Sequence, residues 1–421
     1  MSSQLPRRRT APLSVAAGVA AALALPAYSA PPVPATQVWI DVANHNMANM
    51  PELGGMERMA MDMMGGDRSR PNYPTARKSS TTGQYLDIAI LNRPRPGREV
   101  QAAVPEGLGL GPSLTLVPPP PVGESRTPGT PSDPPDVEIT VREFWGCSGA
   151  VGPGQPKVST YTVKGGVASV SGGMTPGRFE PDGAVEPTPA YALWPNPVYG
   201  QQVPDAASLV GTHRFTGDGI PASLRFELDR TADFMPRISL TSLGEGDAPI
   251  QLSWLPVERA KAYFLHAVQM EAPKEQGVNK ASVTVWSSAE TAGAGTALVD
   301  YLDASRIDRW LKQKVLLPAS TTACIVPQGV FDTDKGMASM TMLDMVAYGP
   351  EVHLVHPAKP ADPKLLAAWK PEWSARVRTK STANLVLGMD VAAGRKQGQG
   401  QDAKKESTGK ALLKGLLRRG L

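Results

Sequence analysis

An all-β fold with two β-rich domains is what the sequence predicts, on three observations. Among 421 residues there are 42 prolines and 41 glycines, and charged residues reach only 19%; this balance favours short strands and many turns over long helices. Runs in which apolar and polar side chains alternate with period two recur along the chain. Helical spacing is scarce, its best internal example being Ala304 to Leu316.

The first element is not part of the fold. Arg7, Arg8 and Arg9 precede an Ala/Leu-rich run from Ala11 to Leu25, closed by Pro26 and Ala27-Tyr28-Ser29-Ala30. A charged start, a short apolar middle and small residues at the exit describe a secretory signal peptide over residues 1–30. Its apolar run is shorter than the roughly 20 residues that cross a bilayer. The mature chain is therefore expected to be periplasmic or secreted.

Residues 36–93 are expected to hold N-terminal β strands around a Met-rich segment. Thr36 to Ala43 alternates Val38, Ile40 and Val42 with Trp39 and Asp41, and Gln84 to Leu91 alternates again. Residues 94–135, with four successive prolines from Pro118 and the run Thr127-Pro128-Gly129-Thr130-Pro131, read as a Pro-rich linker. Residues 136–232 read as a β-rich domain with long loops, its strands at Asp136 to Trp145, Pro156 to Val163 and Ser223 to Leu228. Gly172 to Pro204 lies between them as a Gly/Pro-rich surface passage.

From 233 to 357, short strands follow one another at the spacing of a β-sandwich: Arg237 to Thr241, Ile250 to Leu255, Lys261 to Gln269, Ala281 to Ser287, Thr321 to Pro327 and Met340 to Tyr348. The run Ile250 to Leu265 resembles the second and third strands of a fibronectin type III domain. Trp254, Pro256 and Tyr263 are the matching positions, the resemblance implying that the Trp packs across the core and the Tyr of the next strand faces it. It also implies a binding or spacer module, although fold alone does not license function. Ala304 to Leu316 departs from that family as an amphipathic helix, with Ile307, Trp310, Leu311 and Val315 on one face.

Residues 358–393 form a C-terminal extension with one strand-like stretch, Trp373 to Val391. Residues 394–421 read as a basic low-complexity tail whose last segment, Lys410 to Leu421, sets Leu412, Leu413, Leu416 and Leu417 against Lys410, Lys414 and Arg418. That segment suits peripheral contact with anionic lipid. The net charge of +4 falls to about +1 without the three signal arginines, and the remainder divides into a tail near +6 and a body near −5. No nucleic-acid partner is expected; a protein or envelope component is.

Two groups of side chains could carry chemistry. His45, Met47, Met50, Met56, Met59, Met61, Met63 and Met64 form a Met-rich segment whose soft sulfurs and imidazole suit copper, which makes a periplasmic copper-binding protein or chaperone the alternative function. The same spacing also fits helix packing, since Met56, Met59 and Met63 share a face. A second group, Met337, Met340, Met342 and Met345, precedes His353 and His356, which face opposite ways on a strand. Cys147 and Cys324 are the only cysteines; they are either a disulfide of an oxidising compartment or two buried thiols. Enzyme motifs are missing: there is no Gly-x-Ser-x-Gly elbow, no His-Glu-x-x-His and no phosphate loop. Gly146-Cys147-Ser148-Gly149 has no marked histidine base, and Asp332 to Gly336 lacks the distal glutamate of a calcium loop. The leading expectation is a non-enzymatic exported protein that binds or supports.

Overall fold

The computed structural model describes residues 32–48, 72–77, 81–120, 136–173, 185–244, 247–271, 280–295, 298–331, 341–366 and 368–387. Residues 1–30, Met50, Met56, Met59, Met61, Met63, Met64 and the tail 394–421 lie outside them. Nearly half of the described residues are in strands. In chain order the first are β1 (Thr36–Met47), β2 (Gly83–Asn92), β3 (Val100–Ala103) and β4 (Ser113–Leu116). Next come β5 (Val137–Trp145), β6 (Lys157–Lys164), β7 (Val167–Gly172), β8 (Tyr191–Trp194), β9 (Gly211–Gly217) and β10 (Arg225–Leu228). Then follow β11 (Leu240–Leu243), β12 (Ile250–Trp254), β13 (Ala262–Glu271) and β14 (Lys280–Ser287). Helix α1 (Ala304–Lys312) precedes β15 (Leu317–Pro318), β16 (Ala323–Val326), β17 (Thr341–His356) and β18 (Trp373–Leu387).

One sheet of eleven strands organises the chain, in the order β7-β6-β5-β14-β13-β17-β18-β1-β2-β8, with β15 added beside β13. Two smaller sheets, β10-β9-β3-β4 and β11-β12-β16, pack on it. The segments 36–93, 136–232, 233–357 and 358–393, which look separate in the sequence, thus lie side by side in the large sheet. Pairing between strands hundreds of residues apart leaves no local trace: β1 runs parallel to β18 with Asp41 opposite Arg378.

Each small sheet closes its own core. The four-stranded sheet sets Ala102, Leu114, Phe215 and Phe226 against Ile40, Leu86, Ile88, Trp373 and Val377. The three-stranded sheet sets Leu240, Ile250, Leu252 and Trp254 against Tyr263, Leu265, Trp286, Met345 and Leu385. Strand β18 serves both. Its 15 residues extend about 50 Å at the rise of a strand, so Ala375 and Val377 enter one core and Ala383 and Leu385 the other. Trp254 and Tyr263 meet edge to face across the second core, ring centroids 5.6 Å apart, and Tyr263 Oη accepts the Val257 N–H at 2.9 Å.

Connections cover part of the far face of the large sheet. Helix α1 lays Ile307 and Trp310 over Phe264 and Val346. Its cap is Asp303, whose carboxylate accepts the Arg306 N–H at 2.8 Å and satisfies a donor that the first turn leaves free. No described helix is long and apolar enough to cross a membrane.

Two expectations change. Residues 94–120 of the supposed linker carry β3 and β4, because Val100, Ala102, Leu114 and Leu116 are buried in the first core; prolines flank these strands without entering them. The passage from 172 to 204 carries β8, paired to β2 and ending on the fully buried Trp194. Four-residue strands among prolines have too few alternations to stand out.

A short crossing segment joins the two cores. Residues 229–239 lead from β10 to β11 and pass over β17 where its pairing with β18 shifts register between Tyr348 and Glu351. Gly349 lies in that shift, and a Cβ there would collide with the Thr379 side chain and the Met235 sulfur. Close approach of backbone explains the glycine.

Candidate functional site

Ionisable groups concentrate on the face of β1, β2 and β18 that points away from the two cores. Alternation puts Asp41 and His45 on that face of β1, Asp87 on β2, and Arg376, Arg378 and Lys380 on β18. In a free sheet this face would be wet. Here residues 72–77 and 298–303 close over it, so that Asp41, Asp87, Arg378 and Lys380 are all less than 5% exposed.

Burial on that scale demands partners, and the structure supplies them. Arg378 donates twice to Asp41, Nε to Oδ1 at 2.7 Å and Nη2 to Oδ2 at 2.6 Å. Lys380 Nζ donates to Asp300 Oδ1 at 3.1 Å and to the Arg77 carbonyl at 2.7 Å. Arg77 Nε donates to Asp300 Oδ2 at 2.9 Å. The Tyr301 ring lies under both cations, 4.5 Å from the Arg378 guanidinium and 4.3 Å from Lys380 Nζ. Asp87 accepts from Thr75 N, Thr75 Oγ1 and Ala76 N, at 3.0, 3.0 and 2.7 Å. The result is a closed ionic staple that ties two covering segments to the sheet.

Electrostatics follows from this burial. Desolvation, reinforced by the nearby Asp41, pushes the Asp87 carboxyl up to about 7. For Asp300 burial pulls upward, but Lys380 and Arg77 overcome it and hold the group at about 2. Burial lowers Lys380, and Asp300 opposes that shift.

His45 sits at the edge of the staple. It is 2% exposed, its Nδ1 lies 2.6 Å from Thr382 Oγ1, and its ring packs on Tyr85 at 4.9 Å. Burial, with Lys380 adding repulsion, takes its pKa down to about 3, so the ring stays neutral. Met47, two residues on, is half-buried at the end of β1. The other first-segment methionines lie outside the described residues. In the second group Met345 is core, while His353 pairs with Glu351 at 3.1 Å and His356 stacks on Trp373. Among the described residues no group of three or more His, Cys, Asp and Glu side chains is placed to share a metal ion.

Two buried groups make stability depend on pH, with opposite signs. A neutral buried His45 leaves the unfolded chain with more bound protons from pH 6.5 down to about 3, so its contribution is complete above 6.5 and lost on acidification. Asp87, protonated in the fold up to about 7, acts oppositely: its contribution is complete below 3.8 and lost as pH rises through 7. His45→Gln therefore removes one proton from the balance. Between pH 6 and pH 4 the stability of that variant falls less steeply with acid than wild type, by about 1.4 kcal/mol per pH unit. Urea midpoints across that range measure it, and parallel slopes would mean that His45 is not held neutral.

Cys147 and Cys324 are joined by a disulfide across 177 residues of sequence. Cys147 lies just past β5, after Gly146, and Cys324 lies on β16. The bond ties the outer strands of the large sheet to the three-stranded sheet, beside Trp286, whose Nε1 donates to the Gly146 carbonyl at 3.0 Å.

Between the two cores, on the other face of β1 and β2, there is a cleft of about 460 Å³. Asn44, Gln84 and Met235 line it together with Asp205, Arg230, Asp233, Arg237, Glu258 and Arg259. Arg259 is shaped for this place. It adopts a left-handed backbone, φ 69°, uncommon for a side chain of its size. Its guanidinium spans the cleft wall, donating to the carbonyls of Arg230 at 2.7 Å, Asp233 at 2.8 Å and Phe234 at 2.5 Å. Asp233 in turn accepts from Ser208 Oγ and Leu209 N, at 2.7 and 2.8 Å. These bonds hold the crossing segment rigid. Sequence reading missed the cleft, because its residues come from β1, β2, the β8–β9 connection, the crossing segment and the β12–β13 turn. No family model, no curated protein and no solved structure matches this chain.

Proposed function

We propose that the chain is an exported envelope protein, periplasmic or secreted, that works as a non-enzymatic binding or structural module. The observation that carries this reading is how its polar groups are deployed. The charged cluster under residues 72–77 and 298–303 is consumed by internal pairing, a structural use, while the cleft between the cores presents polar groups on a rigid frame. Export rests on the N-terminal segment, and a disulfide between distant residues suits an oxidising compartment. The expected partner is a protein or another envelope component, with residues 410–421 available for contact with anionic lipid.

In this reading β11 to β18 make a fibronectin type III-like sandwich. Leaving aside the two-residue β15, seven strands follow one another, and the first, second and fifth form one sheet while the fourth, third, sixth and seventh are neighbours in the other. The Trp254–Tyr263 contact across the core supports the same assignment. The unit then ends at Leu387 rather than at residue 357, since β18 supplies its last strand.

Fractionating the producing cell tests the proposal. The expected result is protein in the envelope or the medium with its first thirty or so residues removed, as read by mass spectrometry. An intact N-terminus in the cytosol overturns it.

A further inference from the structure

We infer that β7 is an open sheet edge by which two copies of this chain join, β7 against β7, in a weak two-fold dimer with one continuous sheet. The assembly is independent of export and stands whatever compartment the chain occupies.

The two ends of the large sheet differ. At one end β8 is closed: Leu193 exchanges backbone hydrogen bonds with Val117 at 2.9 and 3.2 Å, and Pro195 follows the strand directly. At the other end stands β7, Val167-Ala168-Ser169-Val170-Ser171-Gly172, paired on one side only, to β6. All six of its residues are exposed. Natural edges are commonly guarded by charge or proline against pairing with another chain. The edge strand β10 carries Arg225 and Glu227; β7 has neither a charge nor a proline. Backbone parity tells which of its groups are offered. The Gly173 N–H donates to the Val158 carbonyl at 2.9 Å, in step with the β6–β7 ladder, so odd-numbered residues bond inward to β6. Alternation then turns the N–H and C=O of Ala168 and Val170 outward. Bare donors and acceptors at strand spacing take one class of partner, another extended strand.

Side chains select a second copy as that partner. Val170 lies opposite Tyr161, and Tyr161 opposite Ile139, an apolar row on one face whose outer members, Val170 and Tyr161, are 49% and 40% exposed. Among the described residues no side chain from 157 to 172 belongs to an apolar core. A hairpin without a layer on it is marginal by itself, so β6 and β7 lean on β5. A two-fold axis at Val170 sets that residue opposite Val170 of the second copy and engages the outward backbone groups of both strands. The apolar row then continues into its own image, while Ser169 and Ser171 share the other face. Self-pairing sets a strand against its own charges, and β7 has none to repel. One six-residue ladder covers less than the roughly 1,200 Å² of a stable interface. The dimer is therefore weak and forms as concentration rises.

Sedimentation of the full chain between about 5 and 500 µM tests this, with amide exchange read residue by residue at both ends of the range. The mass is expected to rise from one chain towards two. Over the same range the Ala168 and Val170 amides slow by about threefold or more, while the Ser169 amide, turned to β6, is slow throughout. Val170→Lys keeps the chain monomeric with circular dichroism and urea midpoint unchanged. Leu243→Lys, at another exposed apolar residue, on β11, leaves association as it was. A single-chain mass at every concentration, Ala168 and Val170 amides already slow at the lowest one, or a dimer that survives Val170→Lys overturns the inference. Should Val170→Lys fail to fold, the exchange pattern of the unaltered chain decides: concentration-dependent slowing at Ala168 and Val170 supports the dimer, and its absence ends it.

Discussion

Replacing Cys147 and Cys324 together by Ala lowers the stability of the folded chain by about 5 kcal/mol. The figure is the loop-closure entropy that a cross-link over 177 residues withdraws from the unfolded ensemble. It is an upper value, since a compact unfolded state already restricts the loop. The effect is large because the bond ties the outer strands to the small sheet across the second core, where Cys324 is 3% exposed. Urea unfolding of oxidised wild type, reduced wild type and the double variant measures it. Reduced protein and the Ala variant should unfold together, well below the oxidised protein. Coincident midpoints for all three would mean that the two sheets are held by packing alone.

Arg378→Met is the second large effect, a loss of about 3–5 kcal/mol, the range for breaking a buried ion pair from one side. Asp41 is left 3% exposed with neither of its two charge-assisted bonds from Arg378. Removing Asp41 as well, as Asp41→Leu with Arg378→Met, should recover most of the loss, because two apolar groups replace a pair that is costly to desolvate. The double-mutant cycle isolates the coupling. Equal destabilisation by the single and the double variant would show that Arg378 acts through Tyr301 rather than through Asp41.

Those charges also show what could be seen in the residues beforehand. The strand around Asp41 is plain from Val38, Ile40 and Val42, and alternation assigns Asp41 to the opposite face. Nothing local tells that this face is covered. The covering segments, 72–77 and 298–303, are short and aperiodic, and the face they cover exists only where β1, β2 and β18 lie side by side. Alternation alone therefore reads a buried charged face as a wet one. The facing of Trp254 and Tyr263 was implied by the resemblance of Ile250 to Leu265, and their strands, β12 and β13, lie in different sheets, whereas Asn44 and Gln84 look like ordinary strand polar residues until the crossing segment roofs them.

By itself the sequence determined the β-rich class, most strand positions and the helix at Ala304. These depend on periods and contacts of a few residues, which the order of side chains states directly. Only the tertiary structure decided that one sheet gathers strands from nearly every segment, that Cys147 meets Cys324, that the charges pair in a dry layer and that a polar cleft separates the cores. Each depends on pairing across hundreds of residues, and such pairing is set by the joint burial of apolar faces, a property no single stretch of chain contains.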